Sequence, residues 1–351
     1  MKICTKIESV QKQWGKIKGS NFIEIKFLEV YYQNHPKIKH LFVMGTNMRL
    51  YAHIFKLSFN KTKNYLRHNP LINIFLKLIS FDVLYLTNSF ITNIPAFIND
   101  KKISLKQLLL AIEDNYSIIV IPDFLFENME VDDNNYTKIE VEEEMVIHIK
   151  QKWNQLEDYI SDLRKKYQKT MKGIIKSTSE IKIRQLTPED LEEHAINIEN
   201  LFTQVVKSSR FKGPKFNTRS FVSFVKQGFM RVDGYFLNDI LIGFSSEIQK
   251  ERNLYSYFVG FDKNLNQSTP IYGRILLENI NTAIKLKKDS LILGRTANEY
   301  KSNFGAIAVK SFIYLKIQNT FLNIILRPVY SQIRINRWAQ RNPFKKKTHL
   351  T

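Results

Sequence analysis

Cysteine is almost missing from this chain: Cys4 stands alone in 351 residues. No intrachain disulfide can form, and nothing points to an oxidising compartment. Long apolar runs are missing too. The best candidate for a membrane span, residues 71–86 (LINIFLKLISFDVLYL), is interrupted by Lys77 and Asp82 and reads better as a buried helix followed by a strand. The opening stretch MKICTKIESVQKQWGKIKG has lysines but no apolar segment behind them, unlike a secretory signal. A soluble, cytoplasmic protein is therefore expected. The seven histidines, His35 and His40 among them, never fall into HExxH or Cys/His zinc spacing, so no metal centre is expected. There is no GxSxG elbow, Walker A loop or GxGxxG fingerprint either, which removes the hydrolase, P-loop and Rossmann readings.

Acidic residues are the other shortage. Asp and Glu number 33 against 53 Lys and Arg, a formal charge of +20, and such a field draws phosphates, tRNA or an anionic bilayer. A Lys-, Ile- and Asn-rich composition produces the same excess without any function, so the sum does not choose between these readings. The distribution says more. Basic residues collect near the N-terminus, along 164–176, and after Gln318, where Arg327, Arg334, Arg337, Arg341, Lys345, Lys346 and Lys347 occur without an acid. The segment Glu127 to Glu144 is acidic and is either a solvated loop or an intramolecular counter-surface.

With 44% hydrophobic and 25% charged residues the chain can bury ordinary cores, and its length favours two domains. In the first half, helices are expected at Val10–Trp14, Phe22–Asn34, Lys61–Ile79 and Leu105–Asp114. Strands are expected at His40–Met44, Leu50–Phe59, 82–86 and in SIIVIPDF. Their alternation predicts mixed α/β layers. Trp153, Leu156, Ile160, Leu163, Tyr167, Met171 and Ile174 recur at helical spacing and predict one long connecting helix over 153–178. Thr187-Pro188-Glu189-Asp190 is a helix start. Three strands follow in a meander with turns at Asn238-Asp239 and at 250–253, then a helix over Tyr272–Leu286 and the strand SLILG. The segments 79–90 and 287–300 echo one another weakly. The expected organisation is a lobe at 1–150, the connecting helix at 151–180, a second lobe at 181–320 and a basic helix and tail at 321–351.

Chemistry concentrates in YSYFVGFDKNLNQSTPIYGRILLENI and LILGRTANEYKSNFGA: strand, loop, helix, strand and charged turn. The loop and the following helix N-terminus can present amide N–H groups to an anion, although an ordinary α/β crossover reads the same way. YFVGFD at 257–262, Asn266, Tyr272 and above all GRTANEYKSNFGA at 294–306, a lysine shortly before Phe304-Gly305, resemble the acetyltransferase-type (GNAT) superfamily. The likeness is to its two-lobed form, the FemABX peptidoglycan aminoacyltransferases and their relatives. The residues at 153–172 also resemble the helix that precedes the second lobe there. The resemblance implies tandem GNAT-like lobes in a mixed α/β fold, with acyl transfer to an amine held in a cleft between the lobes.

That resemblance implies catalytic roles for Lys301 and Asp262, substrate contacts for Tyr257, Asn266, Tyr272, Arg295 and Gly305, and cofactor contacts for Gly273 and Arg274. It implies no permanently bound cofactor, only acyl-CoA or aminoacyl-tRNA as co-substrate. The Q/RxxGxG/A turn that cradles acyl-CoA is reduced here to NLNQSTPIYGR with only Gly273. Each residue has a plainer reading: Lys301 a helix-surface lysine, Arg295 an ion-pair partner of Glu299, Asp262 a cap, Tyr257 and Tyr272 core aromatics, and Thr296 with Glu299 a capping box. Three functions stay open: an acyl-CoA-dependent N-acyltransferase, an aminoacyl-tRNA-dependent enzyme acting on a cell-envelope (peptidoglycan) precursor, or a non-catalytic basic module. The third would bind nucleic acid or an anionic membrane, to which the tail from Phe321 to Trp338 adds a peripheral contact.

Overall fold

In the computed structural model, residues 1–14, 21–58, 80–99, 102–131, 135–207, 213–330, 335 and 337–345 are described. The helix expected at 61–79, part of the basic N-terminus, Arg334, Lys346 and Lys347 lie outside them. The chain divides into two units, one of Met1–Glu142, Arg210–Asn217 and Lys310–Asn336, the other of Glu143–Ser209, Thr218–Val309 and Arg337–Thr351. The boundaries expected from sequence thus differ in detail: the first unit reclaims a late segment, and the last residues belong with the second.

The first unit runs through β1 (Lys2–Cys4), α1 (Gln11–Trp14), α2 (Ile25–Asn34), β2 (Lys39–Met44), β3 (Met48–Ser58), β4 (Ser80–Tyr85) and β5 (Phe97–Asn99). It continues through β6 (Ile103–Ser104), α3 (Leu105–Ala111), β7 (Ile118–Pro122), α4 (Asp123–Phe126) and β8 (Met129–Glu130). The strand β9 (Thr137–His148) carries the chain into the second unit. Much of the acidic segment is therefore strand rather than loop.

The second unit contains α5 (Leu156–Asp162), α6 (Lys165–Ser177), β10 (Lys182–Gln185), α7 (Pro188–Glu193), α8 (Ala195–Lys207), α9 (Ser220–Lys226), β11 (Arg231–Leu237), β12 (Ile240–Lys250) and β13 (Asn253–Phe261). Then come α10 (Ile271–Lys285), β14 (Ser290–Ile292) and α11 (Asn298–Ser302), before β15 (Ile307–Ile317) and α12 (Thr320–Tyr330) return the chain to the first unit.

Local chemistry explains several of these elements. Thr187 Oγ1 accepts from Asp190 N while Thr187 N donates to the Asp190 carboxylate, with Pro188 in the first turn of α7. This is a reciprocal cap legible in the sequence. Asn238 and Asp239 take φ of 49° and 60°, as the two-residue turn between β11 and β12 requires. The single helix expected over 153–178 is instead two. It breaks at Leu163, whose ψ is 157°, because Leu163 bridges to Phe344 and Arg164 N donates to Pro343 O. Periodicity could not show this, since the apolar spacing continues through the break.

The strands of the two units repeat one topology. In the first unit β1, β2, β3 and β4 are antiparallel neighbours, β4 pairs parallel with β7, and β7 pairs antiparallel with β15. In the second, β10, β11, β12 and β13 are antiparallel, β13 pairs parallel with β14, and β14 pairs antiparallel with β9. The counterpart of β14 is thus β7. The echo read between 79–90 and 287–300 matched β4 with β14 and is one strand out of place.

Candidate functional site

A gap in the second unit's ladder locates the site. The parallel pairing of β13 with β14 covers only Asn253–Tyr255 against Ser290–Ile292, yet β13 continues to Phe261. From Ser256 onward that edge has no strand beside it among the described residues, and Tyr255 to Val259 are all half-buried. A central strand left open in this way presents backbone donors and acceptors that a bound ligand can satisfy.

Beside the start of the gap lies a buried polar network. Glu247 stands opposite Ser256 in the β12–β13 ladder, next to a register shift between Ser245 and Glu247. Asn279 Nδ2 on α10 donates to Glu247 Oε1 at 2.6 Å, and Ser256 Oγ donates to Asn279 Oδ1 at 3.3 Å. Glu247 is 2% exposed, and its Oε2 has no hydrogen-bond partner among the described residues. Burial pushes its carboxyl up to about 7, with the nearby Asp233 and Glu278 adding to the rise and Asn279 and Arg231 opposing it. Asp233 itself is held by a bidentate Arg231 at 2.9 to 3.0 Å. A carboxyl half-ionised near neutrality beside an open strand edge is the physical profile of a proton acceptor.

The sequence reading missed these residues, although signals were present. In ILIGFSSEIQK the glutamate sits inside a strand buried on both faces, and Asn279 interrupts the apolar stripe of α10 formed by Ile275, Leu276, Ile280 and Ala283. A polar residue at a core position is informative, because burial without a partner is costly.

The expected site residues have other geometry. Lys301 is 3% exposed rather than on a surface, and its ammonium donates to the carbonyls of Leu293, Gly294 and Arg295 at 2.8, 3.1 and 2.8 Å. It ties the strand end into a turn in which Gly294, Thr296 and Ala297 all have positive φ. For the two residues with side chains that conformation costs on the order of 1–3 kcal/mol each. Arg295, half-buried, sits in this turn. Thr296 does not cap: the helix starts after left-handed Ala297, without a side-chain cap. Glu299 pairs with Arg341.

Asp262 caps the loop after β13: its Oδ1 accepts from Asn264 N and Leu265 N at 2.9 and 3.0 Å. Asn266 Oδ1 accepts from Tyr272 N at 2.8 Å, so a side chain occupies one of the first amides of α10. The Tyr272 ring stacks between Phe261 and Tyr300, whereas Tyr257 lies on the open part of β13. Gly273 is closely packed. A Cβ there would lie 2.8 Å from Tyr300 Oη and 2.9 Å from Ile174 Cδ1, so this glycine allows helix packing. Arg274 is spent on Glu278 at 2.8 Å and on Thr178 Oγ1.

Gly305 has φ +89°, and a Cβ on it would meet the Phe344 ring at 2.4 Å. Residues 340–344 cover this corner: Gln340 Nε2 donates to Ala306 O, Arg341 N donates to Ser302 Oγ, and Phe344 packs on Trp153. On its Cβ side Gly305 is therefore covered by the chain itself. Gly305→Ala should destabilise the protein by about 2–4 kcal/mol from backbone strain and overpacking together, measured by urea unfolding. Combining it with Phe344→Ala should cost less than the two single changes added.

The first unit holds a second polar interior. His35, His40 and His53 are at most 4% exposed, and the rings of His40 and His53 lie 4.9 Å apart. His40 Nδ1 meets Tyr51 Oη at 2.6 Å, Asn217 N donates to His35 Nε2 at 3.0 Å, and Ser89 N donates to His53 Nδ1 at 3.1 Å. Burial lowers all three, His35 and His40 to about 4. Among the described residues no group of His, Cys, Asp and Glu is arranged to hold a metal, and no helix is long and apolar enough to cross a membrane.

No family model matches the chain, and no curated protein matches it. Solved structures do. FemX superposes with a TM-score of 0.50 at 9% identity, covering 93% of this chain and 100% of FemX. L-PGS from Bacillus licheniformis gives 0.53 at 8% identity, covering 94% and 97%. The C-terminal domain of a protein named as a lysylphosphatidylglycerol synthetase from Agrobacterium fabrum gives 0.54 at 8% identity, covering 92% and 96%. At such identities the likeness concerns architecture alone: this chain has the mixed α/β fold of FemX and L-PGS over nearly its full length.

Proposed function

We propose that this protein is an acyltransferase whose reaction runs along the open edge of β13, with Glu247 accepting the proton of an attacking amine. The observation that carries this reading is the buried Glu247 carboxylate, linked through Asn279 to Ser256 where β13 parts from β14. Transfer to an amine forms a C–N bond, breaks the bond between acyl carbon and donor, and releases one proton from nitrogen. A carboxylate titrating near 7 takes that proton at neutral pH, and the space beside β13 beyond its pairing with β14 suits the reacting carbonyl. Lys301 enters as a positioning residue, holding the turn that carries Arg295.

The features of α10 favour aminoacyl-tRNA over acyl-CoA as donor. Asn266 already occupies the Tyr272 amide, Arg274 is paired, and Gly273 is packed. On α6, Lys165, Lys169, Lys172 and Lys176 are exposed and form one stripe at helical spacing; with no acid in that helix, they suit a polyphosphate backbone. The name lysylphosphatidylglycerol synthetase supports an acceptor in the cell envelope.

Thermal shift and filter binding with acetyl-CoA and with charged tRNA test the donor. Charged tRNA should raise the melting temperature and acetyl-CoA should not. Replacing the four stripe lysines by glutamine should lower the slope of log affinity against log salt by roughly 0.7–0.9 per lost phosphate contact. A shift with acetyl-CoA alone would return the donor to a thioester. Binding of tRNA without transfer to any amine would favour the non-catalytic module.

A further inference from the structure

The helix α12 is built inside out. Asn323 and Tyr330 point inward, 8% and 9% exposed, and they satisfy each other: Tyr330 Oη donates to Asn323 Oδ1 at 2.6 Å, and that oxygen also accepts from Ile317 N at 3.2 Å. On the opposite arc Phe321, Ile324 and Ile325 are 70%, 67% and 49% exposed, with Leu322 and Leu326 half-buried between the two arcs. Helices on globular proteins normally turn their apolar stripe to the core. Here the polar pair takes the core, and three large apolar side chains at i, i+3 and i+4 face outward together. Such a grouping marks a contact surface, whereas single exposed apolar residues do not.

Charge selects the partner. From residue 300 to the end there are ten Lys and Arg and no Asp or Glu, and Arg327 lies in the last turn of α12 itself, exposed. A second copy of a chain with formal charge +20 is repelled, and an apolar face set in an acid-free segment matches the surface of an anionic bilayer. We propose that α12 lies in the interface of an anionic membrane, with Phe321, Ile324 and Ile325 inserted and Arg327 on the headgroups. This attachment is independent of the transfer reaction, and it places the protein at a lipid surface.

The test is co-sedimentation of the full chain with vesicles of phosphatidylcholine alone, or with phosphatidylglycerol added. The wild-type protein should sediment with the anionic vesicles, less so at high salt, and not with pure phosphatidylcholine. The triple variant Phe321→Ser, Ile324→Ser, Ile325→Ser should bind on the order of a hundredfold more weakly at an unchanged melting temperature. A tryptophan in Phe321→Trp should shift its emission to the blue on anionic vesicles only. The proposal is overturned if wild type ignores anionic vesicles or if the triple variant binds them equally. It is also overturned if the triple variant melts earlier without lipid, or if wild type is a dimer that the triple variant dissolves, because another part of the chain or a second copy then covers this face.

Discussion

Glu247→Gln should lower the rate of acyl transfer by about 10²–10⁴-fold, the usual contribution of a positioned general base, while leaving the protein folded. Glutamine keeps the acceptor oxygen that Asn279 Nδ2 bonds but cannot take a proton. In the wild type, kcat/KM should rise with pH through about 7, following the raised carboxyl, and the variant should lose that limb. Stability separates this role from a structural one. The folded carboxyl titrates near 7 rather than 4.5, so the folded chain binds more protons than the unfolded one between those values. The stability this one carboxyl contributes is full below about pH 4.5 and is lost as pH rises through about 7, on the order of 3 kcal/mol. The glutamine variant escapes that loss and should melt no lower than wild type at pH 8. A folded variant with full activity and an unaltered pH profile removes Glu247 from the chemistry.

The second large effect is acid loss of stability in the first unit. His35 and His40 titrate near 4 in the folded state against 6.5 unfolded, and His53 is lowered further. The groups facing them from α2, β3 and the following loops include Tyr31 O, His35 O, Tyr51 Oη, Ser89 and Asn217 N, with no carboxylate in those contacts. Between pH 6.5 and 4 the unfolded chain therefore binds more protons, and stability falls as pH drops through that window, levelling off near the folded values. For His35 and His40 this is on the order of 3 kcal/mol each. Urea titrations from pH 7.5 to 5, in the Glu247→Gln background to remove the opposing slope, measure it before most carboxylates protonate. His53→Leu should flatten part of the decline. A level stability across that range contradicts the buried, neutral cluster.

Much of the fold was readable because it is written in short-range rules. The cap at Thr187, the turn at Asn238-Asp239 and the strand patterns of β2, β7 and β13 follow from side-chain chemistry within a few residues. The break after Asp162 was not readable, because it depends on Pro343 and Phe344 more than 170 positions away in sequence. Nor was the match between β7 and β14, since strand order is set by long-range pairing rather than by local pattern.

The site shows the same division. The strand, loop and turn pattern pointed to the segment from Tyr257 to Gly305 as the expected chemical part of the chain, and the family resemblance pointed to its lysine before Phe304-Gly305. Only the tertiary structure decided what each side chain does there. It turned Lys301 inward onto three carbonyls, covered Gly305 with Phe344, and set Glu247 against Asn279 beside an open strand. The physical reason is that a side chain's proton affinity and reach depend on burial and on partners from distant strands and helices, and a linear pattern holds neither.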